Sequence, residues 1–112
     1  MRRRAFEHEV DKVIESLPKW VIDEIDNLVI VVEEWPTEEQ GDILGIYEGV
    51  SLADRTDYFG VLPDRIVVFY GPHMELGLGE TELREEIRKT VLHELAHHLG
   101  IDDERLAELG WD

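Results

Sequence analysis

Residues 91–103 read Val91-Leu92-His93-Glu94-Leu95-Ala96-His97-His98-Leu99-Gly100-Ile101-Asp102-Asp103. Leu95 and Leu99 continue a four-residue spacing that begins upstream at Leu83, Ile87 and Val91, with Leu92 and Ala96 widening the stripe. Apolar side chains at that interval share one helix face. The spacing predicts a long helix from about Thr81 to Leu99. Thr81 is the expected N-cap, and Glu82 and Glu85 sit where the helix dipole favours acids. Gly100 tolerates a left-handed backbone and is the natural stop. A last short helix is expected from about Asp103 to Leu109, capped by Asp102.

Two imidazoles four residues apart on such a helix lie one turn apart on one face, so His93 and His97 are candidate ligands for one metal ion. Glu94 points to a neighbouring angle, where it can act as a general base toward water. In this composition, two histidines flanking a glutamate at that spacing arise by accident in roughly 3% of sequences. Requiring a glycine and then a carboxylate or imidazole where Gly100 and Asp103 stand lowers the chance to about one in several thousand. The longer pattern therefore carries the reading. Gly100 lets the chain turn sharply and bring Asp103 back toward the histidines as third ligand. Asp102 competes with Asp103 but is better placed as a cap, and Glu104 and Glu108 are further possibilities. His98 is read as a neighbour pointing elsewhere on the helix, and His8 and His73 as surface residues.

Upstream, Phe6, Val10, Val13, Ile14 and Leu17 have helical spacing that Pro18 ends, with a short second turn around Trp20 to Ile25. Leu28 to Val32 reads as a buried strand, Ile43 to Val50 as a second strand broken by Gly45 and Gly49, and Arg65 to Tyr70 as a third. Ser51 to Gly60 reads as a polar loop, and residues 73–79 as a Gly-rich loop. An extended peptide is expected to add to the edge of the strand at residues 65–70. Tyr47, Tyr58 and Tyr70 are read as packing residues, one of which is available to stabilise an oxyanion. Trp20, Trp35 and Trp111 are read as core or lid.

At 112 residues the chain is the size of one domain, taken as 1–112. Its formal net charge of −16, from 27 acidic and 11 basic residues, disfavours nucleic acid. Without cysteine, metal ligands must be His, Asp or Glu, and the composition fits a reducing cytoplasm. Arg2 to Arg4 are followed by charged residues, unlike a signal peptide, and no apolar run is long enough to span a membrane.

The motif resembles that of the zincin metallopeptidases in their metzincin-like form. Leu44-Gly45-Ile46-Tyr47-Glu48-Gly49-Val50, Leu62-Pro63-Asp64-Arg65-Ile66 and Asp103-Glu104-Arg105-Leu106 look like a family of small bacterial zincin-like proteins, described as minimal metallopeptidases. The resemblance covers roughly residues 6 to 110. It implies an α+β fold, a small mixed sheet packed on an N-terminal helix and the motif helix. It also implies Zn2+ held by His93, His97 and Asp103, Glu94 as catalytic base, and a peptide or protein substrate. No methionine follows the motif, so the Met-containing turn of larger metzincins is missing. Two rival readings stand beside this one. The spacing also resembles a bacterial endoribonuclease family of ribosomal RNA maturation, which has Gly where this chain has Glu94 and His where it has Asp103. The third reading is a non-catalytic zinc-binding module.

Overall fold

The computed structural model describes residues 1–25, 27–49 and 63–111. Its elements run α1 (Arg3–Glu15), α2 (Lys19–Glu24), β1 (Leu28–Glu33), β2 (Gly45–Glu48), β3 (Asp64–Phe69), α3 (Tyr70–Glu75), α4 (Glu80–Leu99) and α5 (Asp103–Leu109). The fold is α+β, with one small mixed sheet among the helices. Its strand order is β1-β3-β2. β1 pairs parallel to β3 with Ile30 opposite Ile66, and β2 pairs antiparallel with Gly45 opposite Val68 and Tyr47 opposite Ile66.

Strand periodicity sets the two faces of this sheet. Asp64, Ile66 and Val68 of β3 share a face with their cross-strand partners Tyr47 and Gly45. That face packs on α4, and α1 lies against α4 as well. Ile66 and Val68 join Phe6 and Val10 of α1 and Leu83, Ile87, Val91 and Leu95 of α4 in one buried core. The four-residue apolar stripe of α4 thus does what its spacing predicts.

The structure revises several boundaries. β3 is the central strand, flanked on both sides, so the segment at 65–70 offers no edge to a peptide. Among the described residues the outer strands are β1 and β2. Residues 70–75 form the helix α3 where the sequence predicts the end of a strand and a loop. Pro72 is the third residue of α3, in the first turn, where its missing N–H has no helical partner to lose. α4 starts one residue before Thr81, and its N-cap is Gly79, which makes no side-chain cap. Asp102 does cap α5, accepting from the backbone N–H of Arg105 at 2.8 Å. The expected loop at 51–60, with Tyr58, lies outside the described residues.

Candidate metal centre

α4 carries two polar stripes side by side, each with the four-residue spacing that aligns side chains on a helix. His93 and His97 lie on the exposed side, and Thr90, Glu94 and His98 are buried against the sheet. Glu94 stands between the two environments, 8% exposed. The His93 and His97 rings stand 4.7 Å apart between centroids, inclined at 68°. His97 Nδ1 and Glu94 Oε1 are 3.0 Å apart. When Nδ1 carries the proton and donates it to Glu94, the Nε2 lone pair is left for a metal.

One ligand atom from each of His93, Glu94 and His97 falls within 4.8 Å of the others. Two donors across one zinc ion at about 2.0–2.1 Å each are at most about 4.2 Å apart, so small side-chain rotations bring this set onto an ion. The donors are nitrogens and oxygens with no thiolate, which zinc accepts. The residues present therefore fit the metal.

The sheet edge completes the site. A Cβ on Gly45 of β2 would meet Thr90 Cγ2 at 2.7 Å, the Val67 carbonyl oxygen at 3.1 Å and Glu94 Cγ at 3.4 Å. Only a glycine lets β2 come this close to the helix beside Glu94. In front of this contact lies a cleft of about 330 Å³. Ile43, Leu44 and Trp111 give it an apolar wall, Glu86 and Lys89 charged groups, and His93 and Glu94 the metal side. Trp111 stacks on Trp20 with the ring planes inclined at 13°.

This arrangement agrees with the comparison to known proteins. A family model for zincin-like metallopeptidases matches residues 25–111. The chain belongs to that family. No curated protein matches it. Among solved structures, a conserved hypothetical protein from T. thermophilus is similar to this zincin-like chain at a TM-score of 0.60 and 26% identity. The match covers 96% of this chain and 99% of that one.

Asp103 stands exposed at the first position of α5, outside the cluster formed by His93, Glu94 and His97. The turn before it has the expected form. Gly100 is left-handed at φ 74°, and the Ile101 N–H returns to the Ala96 carbonyl at 2.9 Å. Glu108 pairs with Arg105 at 2.9 Å, and Glu104 is exposed on α5. His8 is exposed as expected, but His73 is fully buried. Its Nδ1 lies 2.7 Å from the Phe69 carbonyl oxygen and its Nε2 lies 3.0 Å from Thr90 Oγ1. Burial pushes its pKa below the ordinary histidine value, against the opposing pull of the Phe69 carbonyl and Glu86.

His98, Asp64 and Tyr47 form a buried group that sequence reasoning misses. Asp64 Oδ2 accepts from Tyr47 Oη at 2.6 Å and from His98 Nδ1 at 3.0 Å. Tyr47 is therefore more than a packing residue. The available signal is Asp64 two residues before Ile66 and four before Val68, on the strand face that is otherwise apolar, since a buried acid demands donors. Nothing in the sequence says that His98, 34 residues away, is one of them.

Proposed function

We propose that the chain is a zinc-dependent peptidase in which His93, His97 and Asp103 hold the ion and Glu94 is the general base. The observation that carries this reading is the grouping of the His93 and His97 imidazoles with the Glu94 carboxylate, His93 and Glu94 lining a cleft, in a chain of the zincin-like family. The left-handed Gly100 turn supports Asp103 as the third ligand, since it redirects the chain at the end of α4. Zinc bound there would act as a Lewis acid toward a substrate carbonyl and would make water more acidic.

The remaining work belongs to the protein. His93 and His97 bind as neutral imidazoles. Glu94 Oε takes a proton from the attacking water and passes it to the departing amine nitrogen as the C–N bond breaks. Burial beside β2 holds that carboxylate at the cleft and limits its rotamers. The outer edge of β2 is the place for an extended peptide to add as a further strand, since among the described residues no strand lies beyond it. Ile43, Leu44 and Trp111 suit a large apolar side chain beside the scissile bond.

The test compares wild type with Glu94→Gln on a panel of unstructured peptides, with zinc content measured in both. The proposal expects Glu94→Gln to keep its zinc and lose hydrolysis by a factor of at least about 10². Hydrolysis at the wild-type rate by Glu94→Gln refutes the assignment of the base. Zinc binding without hydrolysis in the wild type supports a non-catalytic zinc module instead.

A further inference from the structure

Thr90, Glu94 and His98 follow one another at four-residue intervals on the buried face of α4, so the carboxylate at the centre has a bonded side chain one turn before it and another one turn after. Thr90 Oγ1 lies 3.0 Å from His73 Nε2 and 3.0 Å from the Glu86 carbonyl oxygen. His98 is held by Asp64, and Asp64 by Tyr47. All three members of the second group come from different elements: His98 from α4, Asp64 from β3 and Tyr47 from β2. The same β2 strand presents Gly45 to Thr90 and Glu94, two residues before Tyr47 and on the same face. One short strand therefore touches the motif helix twice, once beside the base and once at the helix end.

We propose that Tyr47 and Asp64 are positioning residues for the metal site: by fixing His98, they set the rotation of the last turns of α4 and hence the directions of Glu94 and His97. His98 and Asp64 are 0% and 2% exposed, so neither group can trade its partner for water without opening the core. His97 precedes His98 in the helix, so a change in helix rotation that moves His98 off Asp64 swings His97 by the same angle. The face of Asp64 is closed by the chain leaving β2: a Cβ on Gly49 would fall 2.4 Å from the Asp64 Cγ. An apolar core would hold the helix down but permit it to roll; directional hydrogen bonds to a buried carboxylate oppose that roll. The Tyr47 ring also packs edge-on to His98, 5.8 Å between centroids, so the hydroxyl can be removed while that contact stays.

This inference rests on the reading of His93, Glu94 and His97 as the site, and the experiment separates the two. The variant is Tyr47→Phe, with Tyr70→Phe as control, because Tyr70 also loses one part-buried hydroxyl bond, to the Met1 carbonyl, away from the site. Zinc affinity is measured by competition with a chromophoric chelator, and amide hydrogen exchange of residues 95–99 is followed in the metal-free protein. Tyr47→Phe is expected to weaken zinc binding about tenfold, the low end for residues that orient ligands. It is also expected to speed exchange selectively in that last stretch of α4. Tyr70→Phe is expected to change neither. The proposal is overturned if Tyr47→Phe leaves either readout at the wild-type value, or if Tyr70→Phe moves both as much. If the wild type binds no zinc, the peptidase reading falls, and exchange in the metal-free protein decides the positioning claim by itself.

Discussion

Replacing Gly45 with alanine adds one methyl group at the closest approach between β2 and α4. Gly45 has no positive φ, so alanine fits the backbone itself. Without a clash, the substitution would stabilise the chain by roughly 0.4–1 kcal/mol through the unfolded state. The clash reverses that sign. The new Cβ would lie 2.7 Å from Thr90 Cγ2, about 0.7 Å inside the 3.4 Å at which ordinary contact begins. Thr90 cannot rotate away without releasing its bonds to the Glu86 carbonyl and His73. The Val67 carbonyl, 3.1 Å away, belongs to the central strand and is equally fixed. Forcing a methylene into such packing costs about 1–3 kcal/mol. The net expectation is a loss of roughly 0.5–2 kcal/mol, or about 2–8 °C in Tm for a chain of this length. Urea unfolding should show a lower midpoint at an unchanged m-value. Zinc affinity should fall too, because β2 separates from α4 beside Glu94. A Gly45→Ala protein as stable as wild type, or more stable, refutes the packing argument.

Three further outcomes are expected. Burial lowers the His73 pKa in the folded chain, so the unfolded chain takes up the proton first as pH falls. The stability this provides is complete above the unfolded value of about 6.5 and is lost as pH falls from there through the folded value. Urea titrations across pH 5–8 should show His73→Gln losing that part of the pH slope relative to wild type. Asp102→Ala removes the bond to the Arg105 N–H and should cost about 1 kcal/mol, read as a shift in urea midpoint. Added zinc should raise wild-type Tm by mass action, and excess chelator should reverse the rise.

The parts of the molecule fixed by local periodicity were legible in the sequence. The motif helix, its Gly100 stop, the Asp102 cap and the position of β1 all follow from residues close in the chain, although β1 is a half-buried outer strand and not the buried one its apolar run suggests. The pairing of His93 with His97 was legible for the same reason, since one helix turn sets it. Tertiary context decided the rest. Residues 73–79 read as a Gly-rich loop, yet α3 forms over 70–75, because a proline in its first turn costs no hydrogen bond. The apolar run of β3 indicates burial but not that neighbours pair on both sides. The Asp64–His98 contact joins residues 34 apart in the chain, and no local spacing can reveal it. His73 reads as a surface residue because a lone histidine in a Gly-rich stretch carries no sign of burial, and its partners lie on Phe69 and Thr90.

Zinc stoichiometry at equilibrium asks directly whether His93 and His97 grip a metal. Wild-type protein and the double variant His93→Ala/His97→Ala are dialysed against the same buffered zinc, and bound metal is counted per chain. The wild type is expected to hold one tightly bound ion and the double variant none, with both proteins folded. A double variant that still holds its ion, or a wild type that holds none, overturns the metal site and the peptidase reading built on it.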